Sequence, residues 1–294
     1  MDRRDFLRFL AALPLLQVGS AWGKRAPVDL VVAHGPDPSL LLPQAFEALG
    51  GMKRYVRRGD VVLIKPNMAW DRGPEYAANT NPRVVAALVR LALDAGARRV
   101  KVFDHTCEDP RRVYRRSGIM EAAKRAGAEV SYVNPRRFRR VMIGGEVLKE
   151  WEVYQDALEV DRIINVPVLK HHSLARLTMG MKNLMGLIGG KRSQLHWRLG
   201  ESLADLAAFF KPDLVVLDAT RVLLAGGPQG GNLRNVRRMD TIVIGKDQVA
   251  VDTWGARIFG IEPEEVSCIP IAHRRGLGEM DLRRVRTKRI GDVP

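Results

Sequence analysis

Between residues 28 and 260 the chain alternates uninterrupted apolar runs with stretches of helical periodicity, and this alternation leaves few folds open. The runs are VDLVVAHG (28–35), DVVLIKPN (60–67), RVKVFDHT (99–106), RIINVPVLKHH (162–172), DLVVLDAT (213–220) and DTIVIGKD (240–247). Their Val, Ile and Leu residues are consecutive rather than interleaved with polar ones, which marks strands covered on both faces. Between them lie helical patterns with recognisable ends. Asn81 and Pro82 open one whose Val84, Val85, Leu88, Leu91 and Ala92 share a face, and Gly96 closes it. Further helices are predicted over 112–126 before Gly127, over 202–210 before Lys211-Pro212, and over 248–259 between Asp247 and Gly260. EVSYV (129–133) adds a short strand, and RVMIGGEVLKEWEVY (140–154) reads as a hairpin turning at Gly144-Gly145. The predicted class is α/β: a mostly parallel sheet flanked by helices, with a small β-hairpin insertion. No Pro/Ser-rich linker or internal repeat divides the chain, so residues 24–294 are expected to form one domain.

The first 23 residues read as a targeting label. Arg3 and Arg4 precede Phe6, Leu7 and Arg8, and an apolar run from Phe9 to Val18 follows. This resembles the twin-arginine export signal, with Ala21 and Gly23 suited to cleavage. The resemblance implies passage through the twin-arginine translocase as a folded protein, and a periplasmic or extracellular location. The apolar run is too short for a stable transmembrane helix, so the mature form is expected to have no integral span.

Formal net charge is +15, much of the excess lying in Arg-rich clusters at 111–116, 135–140 and 282–289. A basic surface attracts anions. No interleaved aromatic motif accompanies the clusters, so solvated arginine faces are expected rather than a nucleic-acid interface. With only Cys107 and Cys268, the chain by itself holds no iron–sulfur cluster or four-cysteine zinc site.

The strands end in chemistry-bearing residues. His34, then Lys65 and Asn67, then Asp104 and His105, then Lys170, His171 and His172, then Asp218, and finally Lys246-Asp247 stand at or just after the apolar runs. In an open parallel sheet these ends share one edge, where ligands bind. Lys170 and His172, two apart in extended chain, point to one side, with His171 pointing away. Lys182 and Asn183 interrupt the apolar TMGMKNLMGLIGG (178–190), and a lysine among such neighbours must find a partner or lose its charge. His196, in SQLHWRLG, is placed to complete an imidazole pair with His172 for a metal ion, with Asp218 nearby. The AGGPQGG loop (225–231), with Gly227 central, offers backbone amides to an anion or serves as a plain surface loop. Asp252 stands among Val249, Val251 and Trp254, either buried against a cation or exposed on its helix. Several classes lose support: G-x-G-x-x-G, H-E-x-x-H and G-x-S-x-G are absent, and GLIGGKRS (186–193) fails as a P-loop because Arg192 stands where Ser or Thr is needed.

VVLIKPN, TNPRVVAALVRLALDAGARRVKVFD, INVPVLKHHSLARLTMGMKNLMGLI, DLVVLDAT with the following GGPQGG, and GKDQVAVD together resemble the family catalogued as domain of unknown function 362, over about residues 60–260. The resemblance places the family's K-x-H element on Lys170 and His172, its Lys-Asn on Lys182 and Asn183, and its acidic positions on Asp218, Asp247 and Asp252. Many members carry a ferredoxin module, for which this chain lacks the cysteines. A more distant likeness to the N-terminal domain of nickel-dependent lactate racemases implies an α/β cleft lined by a Lys and several His.

The expected function is that of an exported enzyme binding a small anionic substrate. Lys170, His172, Lys182 and Asn183 are the catalytic candidates. Lys65, Asn67, Asp104, His105, Asp218, Gly227 and Asp252 are the substrate-binding candidates. The expected chemistry is proton transfer or isomerisation, with a metal or metal-organic cofactor as an open element. The alternative is a non-catalytic binding protein for an anion, a metal or an envelope polymer.

Overall fold

The computed structural model describes residues 28–292. The twin-arginine pattern lies outside the described residues. Twelve strands are present among the described residues: β1 (Leu30–His34), β2 (Val61–Pro66), β3 (Arg99–Val102), β4 (Glu129–Val130), β5 (Phe138–Met142), β6 (Glu150–Tyr154), β7 (Arg162–Val166), β8 (Val168–His172), β9 (Arg176–Thr178), β10 (Leu214–Leu223), β11 (Val236–Gly245) and β12 (Thr287–Ile290). Nine α-helical segments among the described residues are α1 (Pro38–Ala48), α2 (Pro82–Asp94), α3 (Pro110–Arg116), α4 (Ile119–Arg125), α5 (Gln155–Leu158), α6 (Gly180–Asn183), α7 (Leu199–Phe210), α8 (Gln248–Phe259) and α9 (Cys268–Arg274).

The main sheet runs β12-β1-β11-β10-β7-β2-β3-β4, and β5 and β6 form a separate antiparallel hairpin. Consecutive strand residues enter opposite cores, as the uninterrupted apolar runs require. In β2, Val62 and Ile64 join one core and Leu63 the other; in β11, Ile242 and Ile244 oppose Val243. Leu42 and Phe46 of α1 and Val84 and Leu88 of α2 cover the first face. Leu203 and Leu206 of α7, Val249 of α8 and Ile269 of α9 cover the second. The expected caps form: the Asn81 side chain accepts from Arg83 N, Asp247 accepts from Val249 N and Ala250 N, and Gly260 closes α8 at φ 87°.

Four features depart from the sequence expectation. The 112–126 segment is two helices, broken at Ser117-Gly118, where Gly118 takes φ 72°. The 129–133 strand shrinks to two residues. The 162–172 run is two strands: β7 pairs with β2 and β10, whereas β8 leaves that register to pair with β10 and β9. Pro167 sits at the break, where it has no N–H to donate to a ladder. Finally, β11 runs antiparallel to both β10 and β1, while the remaining neighbours in the main path are parallel. The Lys246-Asp247 end of β11 therefore lies at the opposite sheet edge from the ends of β2, β3 and β7, and does not join them. β10 also continues past Asp218 to Leu223, so Asp218 is a mid-strand residue.

The chain steps from β2 outward to β3 and β4 on one side, and β7 and β10 flank β2 on the other. The carboxyl ends of β2 and β7 thus frame the point where strand order reverses, which is where open α/β sheets form ligand crevices.

Candidate functional site

A cavity of about 480 Å³ opens at that reversal. Its walls include Lys65 and Asn67 from β2 and the turn after it, Asp104 and His105 after β3, Lys170 and His172 from β8, and Lys182 and Asn183 from α6. His196 and Arg192 close one side. Eight of the residues singled out from the sequence, contributed by segments far apart along the chain, therefore line one mouth, together with His196. The placement follows from local structure. Pro167 turns the chain out of the β7 register, so β8 carries Lys170 and His172 over the crevice. α6 is held by Asp252, and its last residue, Asn183, bonds to Lys65 and Asn67 at the end of β2.

A buried polar network ties these groups together. Lys65, 1% exposed, forms an ion pair at 2.8 Å with Asp104 Oδ1 and donates to Pro66 O (2.8 Å) and Asn183 Oδ1 (3.0 Å). Asn183 Oδ1 also accepts from Asn67 Nδ2 (3.0 Å), and Asn183 Nδ2 donates to Lys65 O (3.2 Å) and Asn165 Oδ1 (2.8 Å). Asp104 Oδ2 accepts from Met68 N at 2.6 Å. Burial pushes the Lys65 ammonium down and the Asp104 carboxylate opposes that push. Three acceptors for three N–H groups make Lys65 a saturated, charged tripod. The approach is close enough to require glycine at 186: a Cβ there would sit 1.8 Å from Asp104 Oδ1 and 2.8 Å from Lys65 Cε.

Lys170 is different. It is also 1% exposed, but it has no carboxylate partner among the described residues. Its Nζ donates to Asn67 Oδ1 (3.1 Å) and to Ala78 O. Burial first, then repulsion from Lys182, moves its ammonium from the ordinary 10.5 to about 7. A neutral amine has two N–H groups and one lone pair. Two acceptors satisfy the two N–H groups, so the lone pair takes a remaining tetrahedral direction. Lys182, partly buried, has only the thioether of Met185 at 3.0 Å, and burial, with Arg192 adding to it, lowers it to about 8.

The imidazoles are fixed in opposite tautomers by their backbone partners. His172 Nδ1 accepts from Leu174 N (3.1 Å) and Ala175 N (3.2 Å). Its proton is therefore on Nε2, the other nitrogen of the ring. Burial and the neighbouring Lys182 and Lys170 hold its pKa at about 3, so it is neutral. His105 Nδ1 lies 2.8 Å from Ile188 O, an acceptor, so its Nε2 carries the lone pair. His196 Nδ1 is similarly engaged with Ser193 O at 3.1 Å, and its ring stacks on that of His172 with centroids 6.2 Å apart.

Three of the sequence-derived candidates do not line this cavity. Asp218 is fully committed: Oδ2 accepts from Asn81 N (2.7 Å), and Oδ1 accepts from Thr220 N (2.9 Å) and Thr220 Oγ1 (2.6 Å). It anchors the start of α2 to β10, and burial raises its pKa. Asp252 has no cation partner among the described residues. It accepts from Gly180 N (2.6 Å) and Met181 N (3.0 Å), capping α6, and burial raises it to about 7. Gly227 donates its N–H to His171 Nδ1 at 3.2 Å, and Pro228 beside it reaches the cavity wall instead. These buried carboxylates are satisfied by backbone N–H groups and, for Asp218, the Thr220 hydroxyl, since a buried carboxylate must be hydrogen-bonded.

The metal expectation does not fit these residues. Among the described residues no three side chains of His, Cys, Asp or Glu converge. His172 uses Nδ1 as an acceptor and presents N–H, the reverse of a ligating imidazole, which donates through one nitrogen and coordinates through the other. The cysteines are apart in character, Cys107 exposed and Cys268 buried, and both are free. Members of the three arginine clusters make surface ion pairs, such as Arg137 with Asp156, Arg283 with Asp281 and Arg286 with Asp29.

Sequence reasoning missed Arg192. Its guanidinium donates to His105 O (2.8 Å), Thr106 O (2.8 Å) and Met185 O (3.5 Å), which pins it at the wall with no carboxylate partner among the described residues. The available signal was the Lys191-Arg192 pair of cations directly after Gly189-Gly190.

The chain is 28% identical over 240 residues to a thylakoid-associated protein of Synechocystis sp., covering 79% of this chain and 73% of that one. The lactate racemase apoprotein of Thermoanaerobacterium thermosaccharolyticum superposes with a TM-score of 0.43 at 10% identity, over 79% of this chain and 57% of that one. A Thermotoga maritima protein of known crystal structure gives 0.41 at 12% identity, over 82% of this chain and 60% of that one. The chain thus spans less than two thirds of either solved chain. The family model for "Domain of unknown function (DUF362)" matches residues 62–257, two thirds of the sequence and every cavity residue named above, and the chain belongs to that family.

Proposed function

We propose that the cavity catalyses proton transfer at the carbon next to a carboxylate or carbonyl in a small anionic substrate, as an isomerase, racemase or lyase does. One observation carries the reading: Lys170 is a buried lysine with two neutral acceptors, no carboxylate, and a pKa of about 7. A general base works best when its pKa is near the working pH. The Lys170 lone pair takes the proton from carbon. The C–H electron pair moves onto the adjacent oxygen, where the neutral His172 Nε2–H donates a hydrogen bond and the Lys182 ammonium supplies positive charge. Return of the proton to the same carbon completes a racemisation and its delivery to the neighbouring atom an isomerisation; in a lyase reaction the electron pair instead forms a double bond and expels a substituent of the neighbouring carbon, which leaves with the proton from Lys170. Lys65, Asp104, Asn67 and Asn183 act as the frame that fixes Lys170.

Incubation of the protein with 2-hydroxy and 2-oxo acids in D₂O, followed by proton NMR, tests the reading. Loss of the signal from the proton next to the carboxylate or carbonyl is expected, and it should vanish in Lys170→Gln. Binding without exchange for every acid tested would leave the second reading, capture of an anion without chemistry, which the same unpaired cations favour. We further propose, from Arg3, Arg4 and the apolar run after them, that the protein acts outside the cytoplasm after twin-arginine export.

A further inference from the structure

The cavity carries more positive charge than a monoanion can neutralise, and this charge is disposed in two places. Lys65 is cancelled by Asp104. Among the described residues, four cavity cations have no carboxylate within ion-pair distance: Lys170, the proposed base, Lys191, whose side chain is exposed, and the more enclosed Lys182 and Arg192. The last two are held in unlike ways. Arg192 is clamped by the carbonyl oxygens of His105 and Thr106, on the loop after β3. Lys182 rises from α6 and meets only a sulfur. Backbone carbonyls orient a guanidinium but do not remove its charge, and a thioether is a weak acceptor for an ammonium. Two cations kept apart by different anchors, facing one space, are each short of an anion. A buried or half-buried unpaired cation is costly, so folding leaves this arrangement in place at the expense of stability.

We infer that the physiological ligand is a small dianion, an acid whose second anionic group is taken by Arg192 while Lys182 holds the first. Arg192 is then the residue that sets specificity: its planar fork matches a carboxylate or a phosphate with two parallel hydrogen bonds, whereas Lys182 acts as a point charge. A volume of about 480 Å³ admits an acid of this size with the reacting carbon between the two groups. The shared chemistry of the second group is that of an oxyanion with two acceptor oxygens, and carboxylate and phosphate both supply it. The binding is linked to protons. Lys182, at about 8 when empty, is largely neutral at pH 9, and an anion beside it restores its charge. Ligand binding at pH 9 should therefore take up about one proton. The inference rests on the proposed substrate site but not on its reaction.

Isothermal titration calorimetry of the purified protein at fixed ionic strength tests it, with malate, 2-phosphoglycolate and lactate as probes. At least one of the two two-group acids, malate as a dianion or 2-phosphoglycolate with a carboxylate and a phosphate that carries about two charges above pH 7, should bind about tenfold or more tighter than lactate, in line with one added charge-assisted pair. Which dianion binds tighter assigns the second group as carboxylate or phosphate. Heats at pH 9 measured in buffers of different ionisation enthalpy should report proton uptake. Arg192→Met should erase the advantage of the dianion and leave lactate binding within about threefold, and Arg192→Lys should restore part of it; circular dichroism of both variants checks that each is folded. Equal affinity for all three probes, or equal weakening of lactate and dianion by Arg192→Met, would overturn the inference. Tight dianion binding with no hydrogen exchange would sink the proposed reaction alone. Exchange on lactate with no preference for dianions would sink the dianion alone.

Discussion

Replacing Lys170 by methionine should change stability in a way that depends on pH, and the size follows from the site. The gap between the ordinary 10.5 and about 7 corresponds to about 5 kcal/mol of penalty on the charged form in the folded protein. Because the folded-state pKa is lowered, the folded protein releases its proton near pH 7 while the unfolded chain keeps it to about 10.5. Across that window the unfolded state binds more protons, so wild-type stability rises with pH by about 1.4 kcal/mol per pH unit on account of this group. Below pH 7 the full penalty applies. Methionine has no such term. At pH 6, Lys170→Met avoids about 5 kcal/mol but leaves Asn67 Oδ1 and Ala78 O without their donor, at about 1–3 kcal/mol each. The variant should therefore lie between about 1 kcal/mol less stable and about 3 kcal/mol more stable than wild type at pH 6. From pH 7 to pH 9 that difference should swing against the variant by about 2 kcal/mol, whatever the cost of the two lost bonds. Urea denaturation of both proteins at pH 6, 7 and 9, followed by tryptophan fluorescence, measures it. A difference that stays flat within about 1 kcal/mol would mean that Lys170 remains protonated to high pH in the folded protein, and its role as a base would fall with it.

Two further outcomes follow from the same geometry and from the N-terminal sequence. The ¹⁵N shifts of His172 should show a protonated Nε2 and an unprotonated Nδ1 from pH 8 down to about 4, with no response to added Zn²⁺ or Ni²⁺; a titration near pH 6.5, or a shift of Nε2 on adding metal, would show that the two backbone donors do not fix this ring. Fusing residues 1–27 to a reporter that must be exported folded should place it outside the cytoplasm, and Arg3→Lys with Arg4→Lys should block this. Retention of the unaltered fusion in the cytoplasm would remove the export proposal.

Much of the site was legible because strand ends can be read locally. The Lys65, Asn67, Asp104, His105, Lys170 and His172 side chains follow buried apolar runs, and parallel strands bring such ends to one edge. Lys182 and Asn183 stood out as polar groups inside an apolar segment. The carboxylates were less readable. Asp218 and Asp252 look from sequence like partners for those cations, but Asp252 spends both oxygens on N–H groups at the start of α6, and Asp218 spends one on the N–H of Asn81 at the start of α2 and the other on Thr220. His172 reads as a ligand or a base until the turn at Leu174 and Ala175 aims two N–H groups at Nδ1.

The amino-acid order alone determined which segments are covered on both sides, where α2 and α8 begin, and that cations follow the strands, because these depend on each residue and its near neighbours. Only the tertiary structure decided that β11 runs against its neighbours, that Pro167 sends β8 over the crevice, and that Arg192 meets Lys182 across one cavity. Strand direction and the charge state of a buried side chain are set by whatever distant segment packs against them, and that partner is absent from any local stretch of sequence.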